Sequence, residues 1–128
     1  MGFEPSETLR AINKCNNRTT VITNLAPLPP FTVAIGKGAY PDLEQLQEVI
    51  RARTRKLVAI DAAGLAKQAG NIMALNMVLL GALLQSGQLP ITADQLKEVI
   101  STKTKADFVP INLKAFELGF EAARNAGA

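Results

Sequence analysis

The chain contains no histidine and one cysteine, Cys15, among its 128 residues. A Ser-His-Asp triad, a histidine-based zinc site and a four-cysteine iron–sulfur site therefore cannot be built from this chain alone. A single cysteine also excludes an internal disulfide, which suits a cytoplasmic protein. We interpret Cys15 as a bystander thiol, because the neighbouring Lys14 and Arg18 are only weak support for a reactive thiolate.

Long apolar runs are absent as well. The longest, residues 77–84, is far shorter than the roughly 20 residues of a membrane span. Residues 1–10 lack the basic-then-apolar order of a signal peptide. The net charge of +3 is small and scattered, so it does not by itself indicate a polyanionic partner. We expect a soluble, cytoplasmic protein that binds neither nucleic acid nor membrane.

Hydrophobic residues make up 48% of the chain, enough for the core of one domain. Three β-branched or apolar segments predict strands: residues 19–23, 31–35 and 57–60. Three segments predict helices: residues 5–12, the amphipathic segment that Asp42 caps, with Leu43, Leu46, Val49 and Ile50 on one face, and residues 62–69. This order indicates an α/β domain with crossover connections.

Residues 70–87 are apolar on nearly every side, which predicts a buried helix. Asn71 is suited to cap its amino end. Asn76 places an amide among apolar neighbours, and because a buried unpaired amide is costly, we expect it to bond a neighbouring loop or subunit. Glycine inside a helix costs about 1 kcal/mol, so Gly81 predicts close backbone approach by another element.

A capping box formed by Thr92 and Gln95 predicts the next helix. Its inward face is predicted to carry Leu96, Val99 and Ile100. The last helix begins at Pro110 or Asn112, and its apolar face carries Leu113, Phe116 and Phe120.

Three polar motifs each have two interpretations. The GKG motif at residues 36–38 lacks the fuller phosphate-loop pattern, so turn glycines are favoured. The RARTRK motif, residues 51–56, is either a patch for phosphate or an acidic partner, or a set of cations that complements a helix macrodipole. Asp61 follows a strand and is either a ligand position or the cap of the next helix.

The segments AGNIMALNMVLLGALL and INLKAFELG resemble the gamma-type domain of the 2-oxoacid:ferredoxin oxidoreductases. The matching positions are Gly70, Asn71, Ala74, Asn76, Met77, Leu80, Gly81, Asn112, Ala115, Phe116 and Gly119. The earlier segments GFEPSETLRA, ITNLAPLPP and AYPDLEQL are most similar to the small (beta) subunit of indolepyruvate:ferredoxin oxidoreductases. The resemblance runs from about Gly2 to Arg124.

This resemblance implies a role in an enzyme complex that oxidatively decarboxylates aryl 2-oxoacids, acylates coenzyme A and reduces ferredoxin. Thiamine diphosphate and iron–sulfur clusters are implied for the large (alpha) partner subunit. The small subunit is implied to support assembly and to form a wall near the coenzyme A and substrate entrance. We therefore expect no catalytic, cofactor-binding or metal-binding residue in this chain, and no activity of the isolated chain.

Five of the matching residues are predicted to form subunit or domain contacts: Asn71, Asn76, Gly81, Asn112 and Phe116. The predicted fold is an incomplete three-layer, Rossmann-like α/β/α domain with a short, mostly parallel sheet and a helical carboxyl-terminal half. Family small subunits begin with a strand and a G-x-G-G-Q-G turn that lie before the segment starting here at Gly2. We expect residues 1–128 to be a single domain, the carboxyl-terminal two-thirds of a gamma-type domain. It is either a natural fragment, an engineered fragment or the product of a reading frame whose start is wrongly assigned.

A sheet without its first strands exposes an edge and an apolar face, which predicts self-association. Two other interpretations stay open. The chain is similar enough to belong to a pyruvate-type or 2-oxoglutarate-type enzyme of the same family. Alternatively, it is a stand-alone module that binds an anionic ligand with residues 51–56 and the carboxyl ends of its strands.

Overall fold

The computed structural model describes residues 1–27, 36 and 39–127. The helices and strands are α1 (Pro5–Arg10), β1 (Thr20–Asn24), α2 (Leu43–Arg53), β2 (Lys56–Ile60), α3 (Ala62–Ala69), α4 (Leu75–Gln85), α5 (Ala93–Lys103) and α6 (Val109–Asn125). Short 3₁₀ turns cover Ile12–Lys14, Ile72–Ala74 and Ala106–Phe108. The strand predicted at residues 31–35, together with residues 37 and 38 of the GKG motif, lies outside the described residues. Across the described ranges, no helix combines the length and apolarity needed to cross a membrane.

The strands β1 and β2 pair in parallel, with Thr20 opposite Lys56 and Asn24 opposite Ile60. Gly2 adds a further parallel bridge to β1. Its amide donates to the Ile22 carbonyl at 2.7 Å, and its carbonyl accepts from the Asn24 amide at 3.0 Å. The first residues of the chain are therefore bonded into the sheet.

Successive strand residues point to opposite faces of a sheet, and the two faces here carry separate apolar clusters. On one face Val21 packs with Leu46 and Ile50 of α2 and with the partly buried Leu9, Ile12, Cys15 and Leu57, of which Leu9 belongs to α1. On the other face the strand residues pack against α3, α4 and α6, and the cluster includes Ile22, Val58, Ile60, Ala66, Val78, Leu79 and Ala115. The predicted α/β/α arrangement, with a short parallel sheet and a helical carboxyl-terminal half, is confirmed.

Helix α4 lies at the centre of the second layer and packs against α6, α3 and β1. A methyl group added to Gly81 would lie 2.9 Å from the Phe120 amide nitrogen of α6. One added to Gly119 of α6 would lie 2.6 Å from the Val78 carbonyl carbon. The two helix backbones are therefore in direct contact, and the close approach predicted at Gly81 is confirmed.

Two residues predicted to face inward are exposed, Val49 by 48% and Val99 by 51%, and Met73, within the segment predicted as a buried helix, is exposed by 80%. Val49 and Val99 each precede a buried isoleucine, Ile50 and Ile100. Successive residues of a helix are rotated by about 100° around its axis. Each valine therefore lies at the border of the buried face, where no neighbouring element in the described part of the chain covers it. Met73 belongs to the 3₁₀ turn before α4, outside the buried helix itself.

Replacing Gly81 by Ala is expected to lower the free energy of unfolding by about 1–3 kcal/mol, because the methyl group meets the backbone of α6. In a helix interior with free space around the glycine, the same substitution raises the free energy of unfolding by about 1 kcal/mol. Urea unfolding followed by circular dichroism measures the difference. Asn76→Ala, at an exposed position of the same helix, is the control and should change stability by less than about 0.5 kcal/mol. A Gly81→Ala protein more stable than the wild type would contradict the close approach.

Candidate subunit-contact surface

The carboxyl ends of the strands, where α/β proteins often bind ligands, are occupied by structural hydrogen bonds. Asn24 ends β1 and is 3% exposed. Its Oδ1 accepts from the amides of Ala26 at 3.1 Å, Ala62 at 3.0 Å and Ala63 at 3.3 Å. Its Nδ2 donates to the carbonyls of Phe3 at 3.0 Å and Ala26 at 3.2 Å. The Asn24 amide is therefore fully used in joining three segments of the fold.

Asp61 follows β2, and its Oδ1 accepts from the Gly64 amide at 2.9 Å. Of the two interpretations of Asp61, the helix cap is confirmed. The RARTRK motif lies at the other end of β2, because Arg53 ends α2 and Lys56 begins the strand. A strand of five residues separates its two ends by about 13 Å. Residues 51–56 and the carboxyl strand ends therefore do not form one anion-binding site.

A buried carboxylate that the sequence pattern did not indicate lies beside β1. Glu4 is 7% exposed. Its Oε2 accepts from the Ser6 hydroxyl at 2.7 Å and from the Glu7 amide at 2.9 Å. Its Oε1 accepts from the Tyr40 hydroxyl, which in turn accepts from the Ser6 amide at 3.2 Å. This network ties the segment before α2 to the start of α1.

Burial raises the pKa of the Glu4 carboxyl, but hydrogen bonds from Tyr40, Ser6 and the Glu7 amide outweigh burial and hold the pKa below its ordinary value. Burial, followed by the hydrogen bond to Glu4, raises the pKa of the Tyr40 hydroxyl. At neutral pH Glu4 is therefore ionised and Tyr40 neutral. Because every contact of this pair holds one part of the chain to another, its role is structural.

A groove of about 320 Å³ lies between the start of α4 and the start of α6. It is lined by Asn71, Met73, Ala74, Asn76, Met77, Thr104, Phe108, Ile111 and Asn112. Three of the five predicted contact residues, Asn71, Asn76 and Asn112, are thus brought together on one surface. We call these lining residues the amide groove.

Local structure explains the shape of the amide groove. Gly70 ends α3 with a φ of +125°, which glycine adopts readily. Asn71 then caps the 3₁₀ turn, since its Oδ1 accepts from the Met73 amide at 2.9 Å. This turn carries Met73, which is 80% exposed, and Phe108, 46% exposed, contributes from another turn. The result is an exposed apolar surface bordered by amides.

The amide side chains of the groove retain hydrogen-bonding capacity. Asn76 is exposed rather than buried, so it differs from the prediction. Its Oδ1 accepts from the adjacent Met77 amide at 3.0 Å, and its Nδ2 donates to no residue that the structure describes. The Asn112 side chain likewise makes no hydrogen bond within the described ranges. Both amides are available to an external partner.

Gly81 and Phe116 lie apart from this surface. Phe116 is 1% exposed, and its backbone meets Gly81 where α4 and α6 cross. The contact that these two residues make is therefore between two helices of this chain, and both residues are buried.

The donor set of the chain does not fit an iron–sulfur cluster, since four thiolates are required and Cys15 is the one cysteine in the sequence. Among the residues that the structure describes, no group of three or more His, Cys, Asp or Glu side chains is placed to hold a metal ion.

Residues 1–122 match the pyruvate ferredoxin/flavodoxin oxidoreductase family. The chain belongs to this family. It is 41% identical over 125 residues to the indolepyruvate oxidoreductase subunit IorB of Pyrococcus horikoshii and 40% identical over 125 residues to that of Thermococcus kodakarensis, with 97% of this chain and 62% of each relative covered. It is 32% identical over 123 residues to the subunit IorB of Methanothermobacter thermautotrophicus, covering 96% of this chain and 63% of the relative.

The chain thus spans less than two thirds of the length of these relatives. No solved structure matches it.

Glu4→Gln is expected to lower the free energy of unfolding at neutral pH by about 1–3 kcal/mol, because charge-assisted hydrogen bonds are lost. The pKa of Glu4 in the folded protein lies below its ordinary value of 4.5. The stabilisation that the ionised Glu4 gives to the folded state is therefore complete at pH values above 4.5. This stabilisation disappears as the pH falls through the pKa of Glu4 in the folded protein. Urea unfolding at neutral and acid pH should show the two proteins converging in acid. Glu98→Gln, at an exposed helical position, is the control, and a Glu4→Gln difference that is constant with pH would contradict this role.

Proposed function

We propose that this chain acts as part of a small, non-catalytic subunit of an indolepyruvate-type 2-oxoacid:ferredoxin oxidoreductase. The observation that carries the proposal is the 41% identity to an indolepyruvate oxidoreductase subunit over 97% of the chain. The complex decarboxylates an aryl 2-oxoacid oxidatively, acylates coenzyme A and passes the electrons to ferredoxin. In this proposal the isolated chain has no activity.

The cofactors belong to the partner. Thiamine diphosphate and the iron–sulfur clusters are held by the large subunit, which agrees with a donor set of one cysteine and no histidine in this chain. This chain contributes the contact surface and not the reacting groups. No step of the reaction is assigned to its residues.

We propose that the amide groove is the surface that contacts the large subunit. Its centre is apolar and includes Met73, which is 80% exposed. Its border carries the Asn76 Nδ2 and the Asn112 side-chain amide, which have no hydrogen-bond partner among the residues that the structure describes. An apolar centre with hydrogen-bonding groups around it is the composition that protein interfaces use, and methionine is enriched in them. Burying Met73 on a partner would also remove an exposed apolar side chain from water.

Met73→Glu is expected to weaken binding to the large subunit about tenfold or more, because a charge then enters an apolar contact. The variant should fold normally, since Met73 is mostly exposed. Val99→Glu makes the same change at an exposed apolar residue of α5 outside the groove and should bind like the wild type. Calorimetric titration measures the affinity, and sedimentation of the chain alone shows whether the groove also mediates self-association. Equal affinities for Met73→Glu and the wild type would contradict the assignment of this surface.

Substrate preference of the reconstituted complex tests the proposed reaction. The complex is assembled with this chain and, separately, with a longer subunit that carries the additional residues of the relatives. We expect kcat/KM for indolepyruvate to exceed that for pyruvate and 2-oxoglutarate by about tenfold or more, because an aryl-sized pocket binds small oxoacids weakly. Ferredoxin reduction at matched substrate concentrations measures this. Preference for pyruvate or 2-oxoglutarate would contradict the indolepyruvate assignment and favour another type of enzyme in the same family. Failure of the complex to assemble would refute the proposed function.

A further inference from the structure

Five cations lie at the amino end of the sheet and the last turn of α2: Arg18, Arg51, Arg53, Arg55 and Lys56. The segments that carry them are bonded together, because the Thr19 carbonyl accepts from the Arg55 amide at 2.9 Å and from the Lys56 amide at 3.4 Å. All four arginines are exposed, and Lys56 is half-buried. We call these five residues the arginine cluster.

The arginine cluster has no carboxylate partner in the described part of the chain. The ion pairs found there are Glu7–Arg10, Lys97–Glu117 and Glu121–Arg124, none of which includes these cations. Residues 14–24 and 49–60 contain no Asp or Glu. A helix macrodipole accounts for Arg51 and Arg53 at the end of α2. It does not account for Arg18 and Arg55, which lie outside any helix.

Parts of the arginine cluster are held in place before any partner binds. The Arg18 amide donates to the Asn16 side chain at 2.9 Å, and Asn16 and Thr19 exchange two further hydrogen bonds at 3.0 and 2.9 Å. The Arg51 guanidinium donates to the Gln47 side chain at 3.1 Å. Such ordering lowers the entropy that binding would cost.

The composition of the arginine cluster favours a protein partner with exposed carboxylates. Arginine binds carboxylates in a bidentate manner and is enriched in protein interfaces. Proteins that bind single-stranded nucleic acids add aromatic side chains that stack on bases, and residues 14–24 and 43–60 contain no aromatic residue. Three grooves in the described part of the chain, the amide groove among them, have none of these cations in their lining, so none of the three would bring a small anion to the arginine cluster.

We propose that the arginine cluster binds an acidic face of the large partner subunit, as a contact surface separate from the amide groove. This inference rests on the proposed function, since it takes the partner from that proposal. It assigns the cluster to electrostatic attraction and orientation of the two subunits, which depend on complementary charge.

The test measures binding of the thiamine-dependent large subunit from the same organism to the wild-type chain and to single charge reversals. Arg53→Glu and Arg55→Glu are each expected to weaken binding about tenfold, with a smaller dependence on salt than the wild type. Lys103→Glu is the matched control, because Lys103 is also a cation in the last turn of a helix, α5, and the change in net charge is the same. Arg53→Lys keeps the charge and should lose less affinity than Arg53→Glu. Circular dichroism confirms that each variant is folded.

Loss of affinity in the two arginine reversals but not in Lys103→Glu supports the proposal. Equal loss in all three, or none in any, overturns it. It is also overturned if the arginine reversals leave assembly unchanged and instead raise the KM for ferredoxin or abolish binding of a short DNA duplex. Absence of wild-type binding refutes the proposed function itself, whereas wild-type binding that resists the arginine reversals refutes only the role of the arginine cluster.

Discussion

The direct contact between the α4 and α6 backbones determines where the other elements of the second layer lie. Gly81 and Gly119 have no side chains to separate the helices, so each backbone meets the other. Because the two helices are so close, α4 packs against α6, α3 and β1 simultaneously. The contact between α4 and α6 also sets the distance between the 3₁₀ turn that carries Met73 and the start of α6. These two segments together form the amide groove. A larger residue at either glycine would therefore change the groove as well as the core.

Local interactions made part of this structure predictable from sequence. The caps at Asp42 and Asn71 and the capping box at Thr92 were recognisable because each joins residues two or three apart. The width of a buried helix face depends on the neighbouring elements, which is why the prediction that Val49 and Val99 face inward is wrong. Periodicity identifies the centre of an apolar face but not how much of its border a neighbouring element covers.

The features of the candidate site differ in how well the sequence alone predicts them. The amide groove combines Asn71 and Asn76 with Asn112, far along the chain, and only the family resemblance pointed to all three. The bond between Glu4 and Tyr40 spans 36 residues, and no spacing rule connects them. The groove belongs to the layer of α4 and α6, whereas the arginine cluster borders α2 in the other layer. An apolar surface acts at contact distance, but charge acts across solvent, so the two surfaces would serve successive stages of one association.

The side chain of Asn24 also constrains the order in which the domain assembles. Its hydrogen bonds reach Phe3, 21 residues before it, and Ala62, 38 residues after it. The first two amides of α3 are bonded to a side chain of β1, so that helix gains these two bonds only when the strands have met. Starting a helix is its least favourable step, so strand pairing acts here as the template for α3. Opening of the sheet therefore also removes two of the hydrogen bonds that hold the first turn of α3.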